Sequence, residues 1–466
     1  MNTIIRRLQR ALFCLVAGLI LSDARPAAAI PAFSRKYQTS CQTCHVIFPK
    51  LNAHGEAFRL NGYRMPAEME EEVKQAPVSL GSEAYERIWP EMVYPSDIPG
   101  SIPLALNTKF ANVYESSFVD EGRTIIHNDF QFPQEVNLFA GGTLGKTFSF
   151  FGELTWAERP DGGSDVEIEH ARIHVNSPFG PEHLVNFKIG KFAPDLEDGF
   201  QEMWLMTDNG IESLFAFNPI GFRGGSGLAE EDAPAGISLP DLVKGIEMYG
   251  VAGHRLFYTL GVTNGIGGAG DTFDGNSSKD VYARVDYKIG GMGLDGDTTG
   301  VTLPPENWRE TSLRIGALGY LGNGSGIDFD VTDDAGAPFK MQDRHSQRVG
   351  LFASWYFGDL NLFGVALHGR DKLRLFDAET SATLSDTTRT YDVWFAQADY
   401  VIRPPFQVSL RYENLRPADP EARTLKTVNA NFSFLIRANI KAMLEYRRDL
   451  RESKNYSLNT LLRFAY

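Results

Sequence analysis

The chain has 466 residues, 43% of them apolar and 12% aromatic, and a net charge of −14 from 45 basic and 59 acidic side chains. That acidity argues against a nucleic-acid partner, because phosphate backbones are held by basic surfaces. Three cysteines, Cys14, Cys41 and Cys44, are too few for a disulfide framework.

From the N-terminus, Arg6, Arg7 and Arg10 precede an apolar run from Ala11 to Leu21, and Ala27, Ala28 and Ala29 offer a small-residue cleavage site. This is the layout of a secretory signal over residues 1–29. The run spans about 11 residues, against the roughly 20 needed by a bilayer-spanning helix. No later stretch is long and apolar enough to replace it, so the mature chain is expected to have no transmembrane helix. Cleavage after Ala29 removes four arginines, one aspartate and Cys14, which takes the net charge from −14 to −17.

The stretch SCQTCHVIFPKLNAHGEAFRLNGYRMP, Ser40 to Pro66, follows. Cys41 and Cys44, with His45 directly after them, have the spacing that fastens a c-type haem. Each thiol adds across a vinyl group, and the histidine binds iron on the proximal side. A disulfide or half of a zinc site are the other readings of such a pair. The adjoining His45 and the otherwise cysteine-free mature chain favour one covalently bound haem c, with His45 as axial iron ligand.

Leu51, His54 with Gly55, and Phe58 recur at helical spacing, and Gly62 with Tyr63 marks an end. Leu51 and Phe58 are therefore expected to pack on the porphyrin, with Gly55 permitting close approach, or else on a neighbouring wall. Met65 is the candidate sixth iron ligand and His54 its rival, with Met69, Met92 or a distant histidine as further options. Residues 30–66 thus read as a monohaem cytochrome c segment. Residues 67–102 read as a linker or plug, with an acidic patch of Glu68, Glu70, Glu71 and Glu72 and then Trp89-Pro90.

From residue 103 to 466, apolar and polar residues alternate with a period of two, the mark of a strand with one apolar and one polar face. Val281, Ala283, Val285, Tyr287 and Ile289 alternate with Tyr282, Arg284, Asp286 and Lys288. Phe406, Val408, Leu410 and Tyr412 alternate with Gln407, Ser409, Arg411 and Glu413. Ala430, Phe432, Phe434 and Ile436 stand against Asn429, Asn431, Ser433 and Arg437.

Sixteen segments follow: 103–113, 134–145, 146–158, 166–178, 183–194, 244–254, 255–265, 279–291, 310–322, 346–358, 360–372, 390–402, 406–416, 426–438, 439–450 and 455–466. A soluble sandwich and a membrane barrel share this pattern, so connection lengths decide between them. Tight corners at Gly145-Lys146, Gly253-His254-Arg255, Gly358-Asp359, Arg403-Pro404-Pro405 and Ala438-Asn439 alternate with mostly longer loops, as in outer-membrane barrels. The connection from Gly290 to Glu310 breaks that rule. The last segment, alternating up to Phe464 and Tyr466, resembles the terminal strand by which such barrels are assembled.

The expected fold is all-β: a 16-stranded antiparallel outer-membrane β-barrel, with a small N-terminal α-helical haem segment plugging the lumen. The connection from Pro194 to Lys244, with Phe215, Phe217 and Phe222, is a second candidate filler. If Ala171, Ile173 and Val175 face lipid, then His170, Arg172 and His174 line the lumen. The same parity puts His368 inward, opposite Val365 and Leu367, and Arg172 becomes a candidate partner for a haem propionate.

Cys41, Cys44 and His45, followed by Phe48-Pro49, Leu51, Gly55, Phe58 and Gly62-Tyr63, resemble the N-terminal segment of the fused monohaem cytochrome–porins of the outer membrane, including those of iron-oxidising bacteria. The resemblance extends in architecture through the sixteen segments. It implies electron transfer across the outer membrane of a Gram-negative bacterium, from extracellular iron(II) or another redox partner to a periplasmic c-type cytochrome or similar carrier. Asp330, Asp333 and Asp334, and Glu230, Glu231 and Asp232, are candidates by charge for an outer mouth that gathers iron(II). The alternatives are a solute porin whose haem is a redox sensor or structural plug, and a haem enzyme of peroxidase type.

Overall fold

The computed structural model describes residues 32–37, 39–65, 104–119, 123–144, 147–158, 163–196, 242–264, 277–323, 328–332, 338–377, 380, 382–417, 424–451 and 454–465. After two short N-terminal strands, β1 (His45–Ile47) and β2 (Lys50–Leu51), the wall begins. Its first half runs β3 (Leu104–Val119), β4 (Arg123–Leu144), β5 (Phe148–Glu158), β6 (Ser164–Val175), β7 (Asn186–Phe192), β8 (Val243–Ala252), β9 (Leu256–Thr263), β10 (Asp280–Gly290) and β11 (Glu310–Gly322). A short strand, β12 (Asp328–Thr332), pairs beside β13 (Pro338–Gly358). Then come β14 (Leu360–Asp377), β15 (Thr383–Arg403), β16 (Phe406–Pro417), β17 (Leu425–Arg437), β18 (Ile440–Asp449) and β19 (Tyr456–Ala465).

Every neighbouring pair is antiparallel, and β19 pairs with β3 (Leu461 opposite Ala111), so the sheet closes on itself. Because β11 pairs directly with β13, the wall proper has sixteen strands, with β12 as an outlying addition. All sixteen expected segments are strands, and β3, β4, β13, β14 and β15 run well past their expected bounds at the end away from the tight corners. The terminal strand is paired on both sides, so closure removes the edge it would otherwise expose.

Burial is inverted relative to a soluble protein. Along β10, Tyr282, Arg284, Asp286 and Lys288 are buried while Val285, Tyr287 and Ile289 are exposed. Along β16, Gln407, Ser409, Arg411 and Glu413 are buried and Leu410 is exposed. Exposed leucine, isoleucine, valine and aromatic side chains belt the outside, where water would penalise them and hydrocarbon does not. Each of the sixteen wall strands has a paired neighbour on both sides, the condition for crossing a bilayer with strands. Among the described residues no helix is long and apolar enough to cross one. The wall is therefore an outer-membrane-type barrel with a polar lumen.

The tight corners gather at one end. Gly253 and His254 take positive φ (54° and 64°) at one of them, and Gly358 (60°) at another, conformations that glycine adopts without a Cβ clash. Short turns mark the periplasmic end of such barrels. The connection from 291 to 309 is a true exception at this same end, because β10 and β11 pair in full register on either side of it.

The N-terminal segment packs against inward-facing residues of the wall near this end. Helix α1 (Ala32–Lys36) leads to a single turn, α2 (Cys41–Cys44), then the small β1–β2 hairpin and helix α3 (Ala53–Leu60). Asn52 caps α3 by accepting from the Gly55 amide at 2.9 Å. Leu51 is not on the helix, as its spacing suggested. It is on β2, opposite His45, because the Phe48-Pro49 turn folds the chain back and the cap at Asn52 starts the helix two residues later.

The segment touches the wall on many sides. Lys36 bonds Thr143 on β4, and Tyr63 stacks on Phe151 of β5 at 5.6 Å. Leu60 packs with Tyr249, Val251, Phe257 and Leu294, while Ile47 packs with Leu435 on β17. Phe48 lies beneath Lys441 and Arg463 of β18 and β19.

Candidate functional site

Cys41, Cys44 and His45 sit together where α2 passes into β1. Ser40 caps α2 by accepting from the Gln42 amide, and neither cysteine is in a disulfide. Burial raises both thiol pKa values, that of Cys44 to about 12, with the neighbouring Cys41 adding to the shift. His45 Nδ1 is bonded to the Pro49 carbonyl at 3.0 Å. A ring held by one nitrogen presents the other to a metal, the usual arrangement behind an imidazole ligand. Burial, with smaller contributions from Arg463 and Lys441, pushes the His45 pKa down to about 4, so the ring is neutral at ordinary pH, the form that binds a metal.

The His45 ring lines a cavity of about 350 Å3, including space open to solvent. Its walls include Val46, Ile47, Val401, Pro405, Phe406 and Leu435, together with Asn307 and Trp308 from the long 291–309 connection. The donor set fits a covalently held haem. The histidine is oriented from behind, both thiols are unpaired, and the flanking wall is mostly apolar and opens at the periplasmic rim.

The other expected contacts separate. Gly55 does allow a close approach, but to the chain itself: a Cβ there would lie 2.0 Å from the Cys44 carbonyl oxygen. Phe58 and Met65 are buried together with Tyr37 and Tyr63, in a cluster that includes Phe33. His54 is on the first turn of α3, and its Nε2 is buried without a partner. Burial lowers its pKa.

His170, Arg172 and His174 do face the lumen, alternating with exposed Ala171 and Ile173. His368 does not. On β14 the buried positions are Asn361, Phe363, Gly369 and Asp371, which turns His368 outward to pair with Asp392 at 2.8 Å. The parity misleads there because Val365 and Leu367 face inward against an apolar lumen cluster of Leu196, Tyr282, Tyr320, Phe363 and Phe395. Leu196 enters that cluster because the chain after β7 turns into the lumen, with Pro194, Asp195 and Leu196 all buried. The start of the suspected filler thus lies inside, while 197–241 fall outside the described residues. So do the signal segment, residues 67–102 with Met69 and Met92, Asp333, Asp334, and residues 230–232; Asp330 falls on β12.

The residues that seat the segment carry no motif. Lys50 reaches across to Asp399 (2.6 Å) and Asn361 (2.8 Å) in a pair almost fully withdrawn from solvent. Arg59 bonds Asp195 at 2.6 Å and Glu56 on its own helix at 2.9 Å. Burial alone would raise the Glu56 carboxyl, but Arg59, with Arg314 beyond it, overrides that and holds it at about 2. The 291–309 connection closes over the segment from below: Asn307 donates to the Gln42 carbonyl, and Asn61 donates to that of Asp295 at 3.2 Å. A lysine between Pro49 and Leu51 was the one available hint, since a buried cation calls for a buried carboxylate.

The structure therefore defines an outer-membrane β-barrel, with the N-terminal segment packed against inward-facing residues of its wall. No protein-family model matches the chain, and no curated protein does. Among solved structures it is similar to OmpF of Salmonella typhi in complex with daunomycin, at 10% identity and a TM-score of 0.47, over 80% of this chain and 100% of that one. It is also similar to an anion-selective porin from Comamonas acidovorans (10%, 0.46, 78% and 99%) and to the channel DcaP of Acinetobacter baumannii (13%, 0.45, 84% and 100%). At that distance the class rests on this chain's own closed ladder and inverted burial.

Proposed function

We propose that the protein is an outer-membrane electron port. One c-type haem, held through Cys41, Cys44 and His45 in the periplasmic mouth of the barrel, passes electrons between an extracellular partner and a periplasmic carrier. The observation that supports this reading is the buried Lys50–Asp399 pair, which ties the chain just after Cys41–His45 to an inward-facing residue of β15. Iron(II) is the favoured donor, and a periplasmic c-type cytochrome the favoured acceptor, on the strength of the segment's resemblance to the cytochrome–porins.

A bound haem supplies a one-electron iron couple tuned by its axial ligands and surroundings. The chain's own residues do the rest. The Pro49 carbonyl fixes the His45 ring, and Val46, Ile47, Phe406 and Leu435 exclude water on one side. The barrel's apolar band, about 25 Å tall, keeps periplasmic and external partners apart. An external donor must therefore enter the lumen, and the opening at the rim faces the periplasmic carrier.

A second reading, a solute channel whose N-terminal segment is a structural plug, draws on the sixteen-strand wall alone. Two measurements separate them. Intact cells given membrane-excluded iron(II) should show reduction of the haem absorption band in the native protein and none in His45→Ala. An equal response in both overturns the port. Open-channel conductance of the native protein in planar bilayers, with no such reduction, establishes the channel.

A further inference from the structure

A second cavity lies on the opposite flank of the plug, between α3 and strands β6 to β8. It comprises about 510 Å3, including space open to solvent, and is lined by Arg59 and Tyr63 from the plug and by Arg172, His174, Lys188 and Tyr249 from the wall. Its carboxylate is already engaged. Asp195 takes Arg59 and Lys188 (2.9 Å), and Lys188 also takes Glu247 at 2.6 Å.

The donors are not all engaged. Arg172 is 9% exposed and forms no ion pair among the described residues. It donates to His170 Nδ1 (2.8 Å) and to the Tyr63 hydroxyl and lies 4.6 Å over the Phe151 ring, while its Nε has no partner. His174, 2% exposed, has the Tyr249 hydroxyl at Nδ1 (3.1 Å) and nothing at Nε2. A buried unmet donor costs free energy, and a guanidinium with no carboxylate favours an anionic acceptor.

We infer that this seam binds a small oxyanion, between Arg172 and His174, and that the bound ion clamps the plug to the wall. The chemistry is that of a carboxylate, phosphate or sulfate. It has two possible sources: a free inorganic ion, or a propionate of the haem argued for above. Only the second source depends on that reading.

The test is thermal unfolding of the full chain in detergent, followed together with protease cleavage within residues 32–65. Sulfate is titrated against chloride at constant ionic strength. The haem-loaded protein is compared with the double variant Cys41→Ala, Cys44→Ala. A free ion gives saturable stabilisation and protection in both forms. A propionate gives it in the haem-free variant only, the site being filled in the loaded protein.

In either case Arg172→Gln should weaken the apparent affinity by about tenfold or more, the loss of one charge-assisted bond. His174→Phe, which keeps the ring packing, should weaken it in the same direction if Arg172→Gln fails to fold. Sulfate also stabilises proteins without binding, by exclusion from their surfaces. A response that does not saturate, or that Arg172→Gln and His174→Phe both leave as in the native chain, therefore overturns the site.

Discussion

The wall and the plug are built on opposite principles. Most of the wall repeats one rule, polar in and apolar out, with an apolar exception around Phe363 of β14, and each strand is held by two neighbours through a continuous ladder, so no single residue decides its place. The plug has few ladder bonds of its own and is placed by particular side chains: Lys50 on Asp399, Arg59 on Asp195, Tyr63 on Phe151. Redundancy makes the first legible and tolerant. Specificity makes the second vulnerable at a handful of positions, and that contrast can be tested by point changes.

The largest effect is expected at Lys50. Lys50→Ala strands Asp399 in a buried site, which costs about 3–5 kcal/mol where one partner of a buried pair is removed. The segment should become protease-sensitive while the barrel keeps its resistance to unfolding in sodium dodecyl sulfate. Loss of both together would mean that plug and wall fold as one unit.

Val285→Arg, at the middle of β10 on the lipid face, should cost about 2–4 kcal/mol in vesicle refolding equilibria. There the wall should weaken without selective release of the plug. Gly55→Ala comes next. Its methyl meets the Cys44 carbonyl, so α3 must shift, at about 1–3 kcal/mol. The signature is faster cleavage near α3, and it would be absent if the helix gives way freely.

The smallest effect is in acid. Glu56 is held at about 2 against an ordinary 4.5, so its contribution to docking is whole above 4.5 and is lost as pH falls through 2. Protection of the segment should therefore begin to fall just below pH 4.5, remain mostly present at pH 4, and be lost as pH passes through 2. A decline already complete at pH 4 would show that Arg59 does not hold that carboxyl down.

The sixteen strands were readable because a period of two is a local property, and pairs such as Val285 beside Asp286 declare both faces at once. The Cys41, Cys44 and His45 cluster was readable for the same reason, being three residues close in the chain. Reading failed where a residue's surroundings come from elsewhere. His368 was turned inward by the apolar Val365 and Leu367, whose partner is Leu196 rather than lipid. Leu51 fitted a helical stripe, yet pairing with His45 holds it in a strand. The overlong 291–309 connection, which left open a wrong strand or one long periplasmic loop, is that long loop, and only the structure shows that it bonds the N-terminal segment.

The sequence by itself determined which residues build the wall, which of their faces is polar, and that Cys41, Cys44 and His45 stand together. Those follow from spacing along one chain. Only the tertiary structure decided which wall residues the segment packs on, near which end, and against which carboxylates. Barrel closure brings Lys50 to Asp399, 349 positions away, and no local pattern encodes a partner at that distance.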